Sequence, residues 1–230
     1  MKALISPSIM CADLMELRPH LRELEALGVD YLHVDVMDGV FVPNYALGAD
    51  FVHQLHAETT IPLDVHLMVD RPDEKLAYFR FQPGDLVSIH LEATPHLQRA
   101  LARLRAMGAN PMVAINPATS IYLLEDVLPD LHGVLVMTVN PGFAGQAVVP
   151  QVIDKITRLR AWLNEKGYPG VQIEVDGNVS FANAPMMCDA GADIFVCGSS
   201  SIYAKGDTIR NNLERLREVG LFSEAIRKGR

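Results

Sequence analysis

Short apolar runs alternate with amphipathic stretches along the whole chain. The apolar runs are rich in β-branched residues, which is typical of strands buried in a parallel sheet. The amphipathic stretches repeat apolar residues every three or four positions, which predicts helices packed on that sheet. The pattern predicts strands at residues 4–8, 31–36, 62–67, 86–91, 111–115, 133–138, 171–175 and 192–197, and helices at 13–27, 73–81, 96–107, 121–127, 150–166, 180–190 and 207–219, with a weaker helix at 49–56.

Eight strand–helix cycles in 230 residues predict a (β/α)8 TIM barrel. A doubly wound open sheet is the alternative, but it usually carries a glycine-rich turn after its first strand. Here residues 8–11 (SIMC) follow the first strand and contain no glycine. No Pro/Gly/Ser-rich linker divides the chain, so we expect a single barrel domain over residues 1–230.

Composition and charge narrow the class of protein further. Hydrophobic residues make up 49% and charged residues 21% of the chain, which predicts a soluble globular protein. The net charge of -8 disfavours nucleic acid as a partner, because phosphate backbones attract clusters of Lys and Arg. No secretion signal or bilayer-length apolar run is present, so no membrane association is expected. The odd number of cysteines, three without a C-x-x-C pair, predicts reduced thiols in a cytoplasmic protein.

Polar side chains gather where three predicted strands end. His33 and Asp35 share one strand face, as do Asp64 and His66, because residues two apart on a strand point the same way. Asp176 closes the seventh run. His33 alone would be interpreted as a core histidine, and Asp64 as a structural carboxylate. Four such groups at three strand ends favour a divalent-metal site whose carboxylates can also move protons.

Glycine and serine follow the last three strands, in residues 140–146 (NPGFAGQ), 176–178 (DGN) and 198–201 (GSSS). Each glycine alone would predict a turn, but together they favour a phosphate site, which barrels commonly build from these loops. His90 and Glu92 share a face at the end of the fourth strand and stay unassigned, as either structural or supporting residues. Three methionines at strand ends predict either core filling or an apolar wall around a small substrate: Met37, Met68 and Met137.

Two motifs that the sequence lacks narrow the type of reaction that we expect. No lysine lies on or directly after a predicted strand, as a Schiff-base lysine would. The Asp-x-Lys-x-x-Asp signature of phosphosugar decarboxylases is also missing from the sequence. We therefore expect metal-assisted proton transfer on a phosphorylated carbonyl compound.

Four segments resemble the signatures of the ribulose-phosphate 3-epimerase family, namely residues 33–44 (HVDVMDGVFVPN), 64–69 (DVHLMV), 140–146 (NPGFAGQ) and 174–177 (EVDG). The resemblance covers nearly the whole chain and implies a barrel of the ribulose-phosphate-binding type that inverts C3 of a ketose phosphate. It implies one divalent ion, with zinc expected first and manganese, iron, cobalt or magnesium as alternatives. It also implies a small phosphorylated ketose substrate and a homo-oligomer.

The resemblance also assigns roles to residues. His33, Asp35, His66 and Asp176 would bind the metal, and Asp35 and Asp176 would be the acid/base pair. Ser8 and His66 would touch the substrate, and the three methionines would cap the sugar. The phosphate would be held by Gly142, Phe143, Ala144, Gly145, Gly177, Asn178, Gly198 and Ser199.

Departures from the ribulose-phosphate pattern concern the substrate. Ala144 and Asn178 replace usual glycines, although Asn tolerates the left-handed backbone better than other residues. Thr138, Ala144 and the Met10-Cys11 pair resemble the allulose-6-phosphate 3-epimerase branch. The prediction is therefore epimerisation of D-allulose 6-phosphate to D-fructose 6-phosphate. The alternative is D-ribulose 5-phosphate to D-xylulose 5-phosphate; a non-catalytic phosphosugar-binding barrel and a zinc-dependent aldolase are more remote.

Overall fold

One curled sheet forms the centre of the computed structural model, which describes residues 3–221. Every strand in it is parallel to its neighbours except the short β3, which pairs antiparallel with β2. The strands are β1 (Leu4–Pro7), β2 (Leu32–Asp38), β3 (Tyr45–Ala46), β4 (Leu63–Met68), β5 (Leu86–His90), β6 (Asn110–Ile115), β7 (Gly133–Met137), β8 (Gln172–Asp176) and β9 (Ile194–Cys197).

The sheet closes on itself between its first two strands. β1 pairs with β9 on one side, and a parallel bridge between Ser8 and His33 joins it to β2 on the other. The backbone N–H groups of Asp30 and Tyr31 both donate to the carbonyl of Ile5 at the same seam. Eight parallel strands, β1, β2 and β4 to β9, therefore form the predicted (β/α)8 barrel, and β3 is an addition that the sequence pattern did not predict.

Helices cover the outside of the barrel and bury their apolar stripes against it. None of the helices within residues 3–221 is both long and apolar enough to cross a bilayer. The α-helices are α1 (Leu17–Leu27), α2 (Ala49–Glu58), α3 (Pro72–Lys75), α4 (Leu97–Ala106), α5 (Gln151–Glu165), α6 (Asn183–Ala190) and α7 (Ile209–Leu216). Tighter 3-10 turns occupy Ile9–Cys11, Leu14–Glu16, Leu76–Tyr78, Leu91–Ala93 and Ile121–Asp130, and a π-helical turn occupies Arg217–Leu221.

Two predicted helices differ most from the structure in type or length. The helix expected at 73–81 stops early, because Phe79 and Phe81 are both buried and stack, and residues two apart can share a face only in an extended chain. The helix expected at 121–127 is a 3-10 helix that runs to Asp130. Its buried Ile121, Leu124 and Val127 are three residues apart, which suits three residues per turn.

The barrel interior changes from apolar to polar towards the carboxyl ends of the strands. An apolar layer of Leu86, Met112 and Ile194 lies at the amino-terminal side. Ser88 lies two residues beyond Leu86, and Asp64 and Glu174 pair in register with Leu86 and Ile194; these three polar residues and Ser6 are all fully buried. Buried polar groups are costly unless they are paired, so this layer must serve the groups above it.

Candidate active site

The strand register brings the four predicted metal ligands together. In the β2–β4 pair, His33 lies opposite Asp64 and Asp35 lies opposite His66. Oδ1 of Asp35 is 3.2 Å from Nε2 of His33 and 3.3 Å from Nδ1 of His66. Oδ2 of Asp176, from β8, is 3.7 Å from the same His66 nitrogen and 4.0 Å from the same His33 nitrogen. One donor atom from each of the four side chains lies within 4.8 Å of all the others.

His33 is oriented from below by a buried carboxylate. Its Nδ1 lies 2.6 Å from Oδ2 of Asp64, which also accepts a hydrogen bond of 2.8 Å from the Ser6 hydroxyl. Donation from Nδ1–H to Asp64 leaves Nε2 to face Asp35 and Asp176. Two imidazole nitrogens and two carboxylate oxygens this close together fit a divalent cation, and a carboxylate behind a histidine is the usual support for such a ligand.

The two carboxylates of the cluster differ in their proton affinity. Burial favours the neutral form of Asp35, but His33 and His66 outweigh it and keep the pKa of Asp35 well below its usual range. Burial, with added repulsion from Asp35, raises the pKa of Asp176 to about 6 despite the nearby His33. Burial would also lower the pKa of His33, but Asp64 and Asp35 raise it well above its usual 6.5. Of the two carboxylates, Asp176 therefore holds a proton more readily than Asp35.

A third histidine and a glutamate, which the sequence analysis left unassigned, extend the cluster sideways. Nε2 of His90 is 2.9 Å from Nε2 of His66, and Nδ1 of His90 is 3.3 Å from Oε2 of Glu92. Burial lowers the pKa of His90 to about 4, so this ring is neutral. The sequence pattern predicts both residues on one face of a strand, but β5 ends at His90 and Glu92 lies in the 3-10 turn that follows it. Only the placement of β5 beside β4 shows what His90 contacts.

Glu174 lies beneath the cluster and has no hydrogen-bond partner at either carboxylate oxygen. Oε1 of Glu174 is 3.7 Å from Nδ1 of His33. Burial and the nearby charge of Asp64 raise the pKa of Glu174 well above its usual range. Its surroundings thus favour the neutral form of this side chain, which lies below the four clustered residues at a position that the sequence pattern did not single out.

A cavity of about 260 Å³ opens above the cluster at the carboxyl ends of the strands. His66, predicted to touch substrate, is fully buried behind the cavity wall. Met10, Cys11 and Val196, which are not among the predicted site residues, also line the cavity. The predicted residues that do line it are Ser8, Asp35, Met37, Met68, Met137, Gly142, Phe143, Ala144, Gly145, Asp176, Gly177, Asn178, Gly198 and Ser199.

The loops over the cavity need backbone conformations that few residues adopt. Gly177 has φ 112°, and a Cβ there would lie 2.6 Å from a methyl of Val139. Asn178 has φ 44°, in the left-handed region that the sequence analysis expected it to tolerate, and its amide donates to the Gln146 carbonyl at 2.8 Å. Loops of this conformation allow backbone N–H groups to approach an anion closely.

A closed β/α barrel with ionisable groups and a loop-lined cavity at the carboxyl ends of its strands defines the class of barrel enzymes. The model of the ribulose-phosphate 3-epimerase family matches residues 4–203. A ribulose-phosphate 3-epimerase of Bacillus subtilis is 41% identical over 88% of this chain and 93% of its own length. One of Methanocaldococcus jannaschii is 40% identical over 97% of this chain and 93% of its own length.

The chain therefore belongs to the ribulose-phosphate 3-epimerase family, and it is an isomerase that epimerises a carbohydrate phosphate. A solved structure of 3-hexulose-6-phosphate synthase shares the fold, with a TM-score of 0.59 over 95% of this chain and 99% of that one. Its identity is 17%, so this likeness concerns the barrel alone.

Proposed function

We propose that the protein interconverts D-ribulose 5-phosphate and D-xylulose 5-phosphate with the help of one divalent metal ion. The observation that carries the proposal is the pair of carboxylates, Asp35 and Asp176, at the floor of the cavity between two buried histidines. The relatives named above support the pentulose phosphate over the hexulose phosphate expected from Thr138 and Ala144. The allulose prediction has no specific support from them.

Inversion at C3 needs one group to take a proton from one face of the carbon and another to return a proton to the opposite face. Asp35 and Asp176 are the two groups that line the cavity and can do this. The carboxylate that starts without a proton acts as the base, and the protonated one acts as the acid; the roles exchange in the reverse direction. The Ser8 hydroxyl donates to Oδ2 of Asp35 at 3.0 Å and helps to fix its orientation.

The ligands of the ion would be His33, Asp35, His66 and Asp176. When bound, a divalent ion stabilises negative charge on substrate oxygens next to the carbon that loses its proton. Zinc is our first choice, because two imidazoles and two carboxylates form a donor set that zinc accepts readily. Manganese, iron, cobalt and magnesium are the alternatives.

The rest of the cavity would hold the remainder of the substrate. Backbone N–H groups of the loops at 142–145, 177–178 and 198–199 would bind the phosphate. The side chains of Met37, Met68 and Met137 would cover the carbon skeleton and exclude water from the reacting carbon. A single domain over residues 1–230, a cytoplasmic location and a homo-oligomer stay predictions.

The proposal is tested by turnover of D-ribulose 5-phosphate and D-allulose 6-phosphate in parallel, with chelator-stripped protein and with protein reloaded separately with each of the five ions. We expect metal-restored activity with a higher kcat/KM for the pentulose phosphate. A higher kcat/KM for allulose 6-phosphate would contradict the proposed substrate, and full activity after complete stripping would contradict the metal. Release of triose or glycolaldehyde fragments would indicate an aldolase instead.

A further inference from the structure

The side chains of His66, His90 and Glu92 form a hydrogen-bonded row that leads away from the cavity. Within it, His66 Nδ1 faces Asp35 and Asp176, whereas its Nε2 meets Nε2 of His90. The two histidines are fully buried, so water cannot supply a missing proton or lone pair. Each of the two contacts in the row therefore needs one donor and one acceptor.

Only one proton arrangement of neutral rings satisfies the row. Glu92 is a carboxylate that accepts: one of its oxygens receives the N–H of Asn116 and the hydroxyl of Thr119, and these hydrogen bonds with that of His90 lower its pKa to about 2. Nδ1 of His90 must then carry the proton that it donates to Glu92, and Nε2 of a neutral His90 is left as an acceptor. His66 must therefore donate through Nε2–H, which leaves its Nδ1 without a proton.

The far end of the row is anchored in the loop after β6. Glu92 holds the backbone of Asn116 and the side chain of Thr119, and the buried Lys155 donates to the carbonyl of Asn116 at 2.7 Å. Phe41 packs over the His90 ring, with the ring centroids 4.6 Å apart. These contacts fix Glu92 and His90 in place without any contribution from the ligands themselves.

We propose that Glu92 and His90 are positioning residues, which fix His66 in the tautomer whose bare Nδ1 is directed at the metal. The inference rests on the metal dependence of the proposed function. It assigns a role to two residues that lie outside the four-ligand set: Glu92 sets the proton on His90, and His90 sets the proton on His66.

The substitution Glu92→Gln tests the direction of proton donation along the row, because Gln has almost the same shape as Glu. The Gln oxygen would stay with the two donors of the loop, which turns its NH2 group towards His90 Nδ1. That NH2 group donates, so His90 would shift its proton to Nε2 and His66 would have to carry its proton on Nδ1. We expect zinc affinity to fall roughly 10–100-fold, the effect that loss of a group supporting a ligand usually has.

Two measurements report on this inference directly, namely the affinity for zinc and the positions of the imidazole protons. Zinc dissociation constants come from competition with a chromogenic chelator, and imidazole tautomers come from 15N chemical shifts of the histidines. His56→Gln is the matched control, because it removes a histidine bonded to buried Asp85 at 2.8 Å, far from the ligands. Glu92→Gln should add no further loss of affinity in a His90→Leu background, since its effect passes through His90.

The 15N spectrum also tests the wild type without any substitution. A proton on His90 Nε2 in the wild type would overturn the inference, as would unchanged affinity in a folded Glu92→Gln protein. Loss of affinity with unchanged tautomers would make Glu92 merely structural and would also overturn it. If the wild-type protein binds no divalent ion, the proposed metal dependence fails instead. The 15N spectrum then still shows which nitrogens of His66 and His90 carry protons.

Discussion

The side-chain amide of Asn44 donates to the backbone carbonyl of Gly142 at 2.8 Å, across 98 positions of sequence. Asn44 lies in the segment after β2, and Gly142 lies in the loop after β7. This hydrogen bond therefore ties the metal-ligand strand to one of the proposed phosphate loops. Val42 packs against the same glycine, where a Cβ would be 3.1 Å away.

Removal of the hydrogen bond between Asn44 and Gly142 should weaken substrate binding more than it slows the chemical step. For Asn44→Ala we expect KM for the pentulose phosphate to rise roughly 3–10-fold, the value of one hydrogen bond of about 1 kcal/mol, with little change in kcat. Steady-state kinetics measure the split. Val40→Ala is the control, because Val40 lies in the same segment and is largely exposed. A selective fall in kcat would contradict a role in loop placement.

Gly177 should tolerate no side chain. A Cβ at this residue would meet Val139 and Thr138 below 3.0 Å, in addition to the cost of φ 112°. Gly206→Ala is a matched control, because Gly206 has a similar φ of 98° but open space around it. We expect Gly177→Ala to lower the free energy of unfolding by about 2 kcal/mol more than the control does, as measured in urea. Equal losses would mean that packing at Gly177 is loose.

The roles of Asp35 and Asp176 should be distinguishable by isotope exchange at C3 of the substrate. In D2O, Asp35→Asn and Asp176→Asn should each slow interconversion roughly 10²–10⁴-fold, because each variant lacks one acid/base group. Each should still exchange the C3 proton of one epimer, and the two variants should differ in which epimer exchanges. NMR of the recovered sugar phosphates measures this. Exchange of the same epimer by both variants would contradict opposite-face proton transfer.

The carboxylate behind His33 should matter for metal affinity. Asp64→Asn keeps the shape but removes the charge that attracts Nδ1–H, so we expect zinc affinity to fall roughly 10–100-fold. Ser6→Ala, which removes only the second partner of Asp64, should have a smaller effect. Chelator competition measures both variants, and circular dichroism checks that they fold. The reverse order of effects would assign the support of His33 to another group.

Glu92 should also make stability depend on pH in a defined window. Burial alone would raise its pKa, but hydrogen bonds from His90, Thr119 and Asn116 lower it from 4.5 to about 2. Between pH 4.5 and about pH 2 the unfolded chain binds more protons at Glu92 than the folded chain does. The contribution of Glu92 to the free energy of unfolding is therefore complete above pH 4.5 and declines as the pH falls towards 2.

The stability advantage of the wild type over Glu92→Gln should thus be constant from pH 8 to 6 and should shrink by about 2 kcal/mol between pH 6 and 3. Urea unfolding at each pH measures it. Glu125→Gln removes a carboxylate that is 54% exposed and serves as the control. A difference that stays constant down to pH 3 would contradict the low pKa of Glu92.

Periodicity was sufficient to predict the barrel and to group the polar side chains of the candidate site, because residues two apart on a strand share one face. His33 could be grouped with Asp35, and Asp64 with His66, from the sequence alone, and the register of β2 and β4 then places the two groups side by side. The contact between His66 and His90 could not be predicted in this way, since it depends on how far β5 is shifted along β4. The 3-10 helix at Ile121–Asp130 was missed because burial at every third residue fits both helix types.

The first strand of the barrel finds its partner β9 only when synthesis of the chain is nearly complete, since Leu4 pairs with Ile194. Asp176, on β8, emerges from the ribosome almost as late. A nascent chain that ends before β8 therefore has an open sheet edge and at most three of the four ligand side chains. Assembly of the four-residue cluster and closure of the barrel are thus late events of the same stage of biosynthesis.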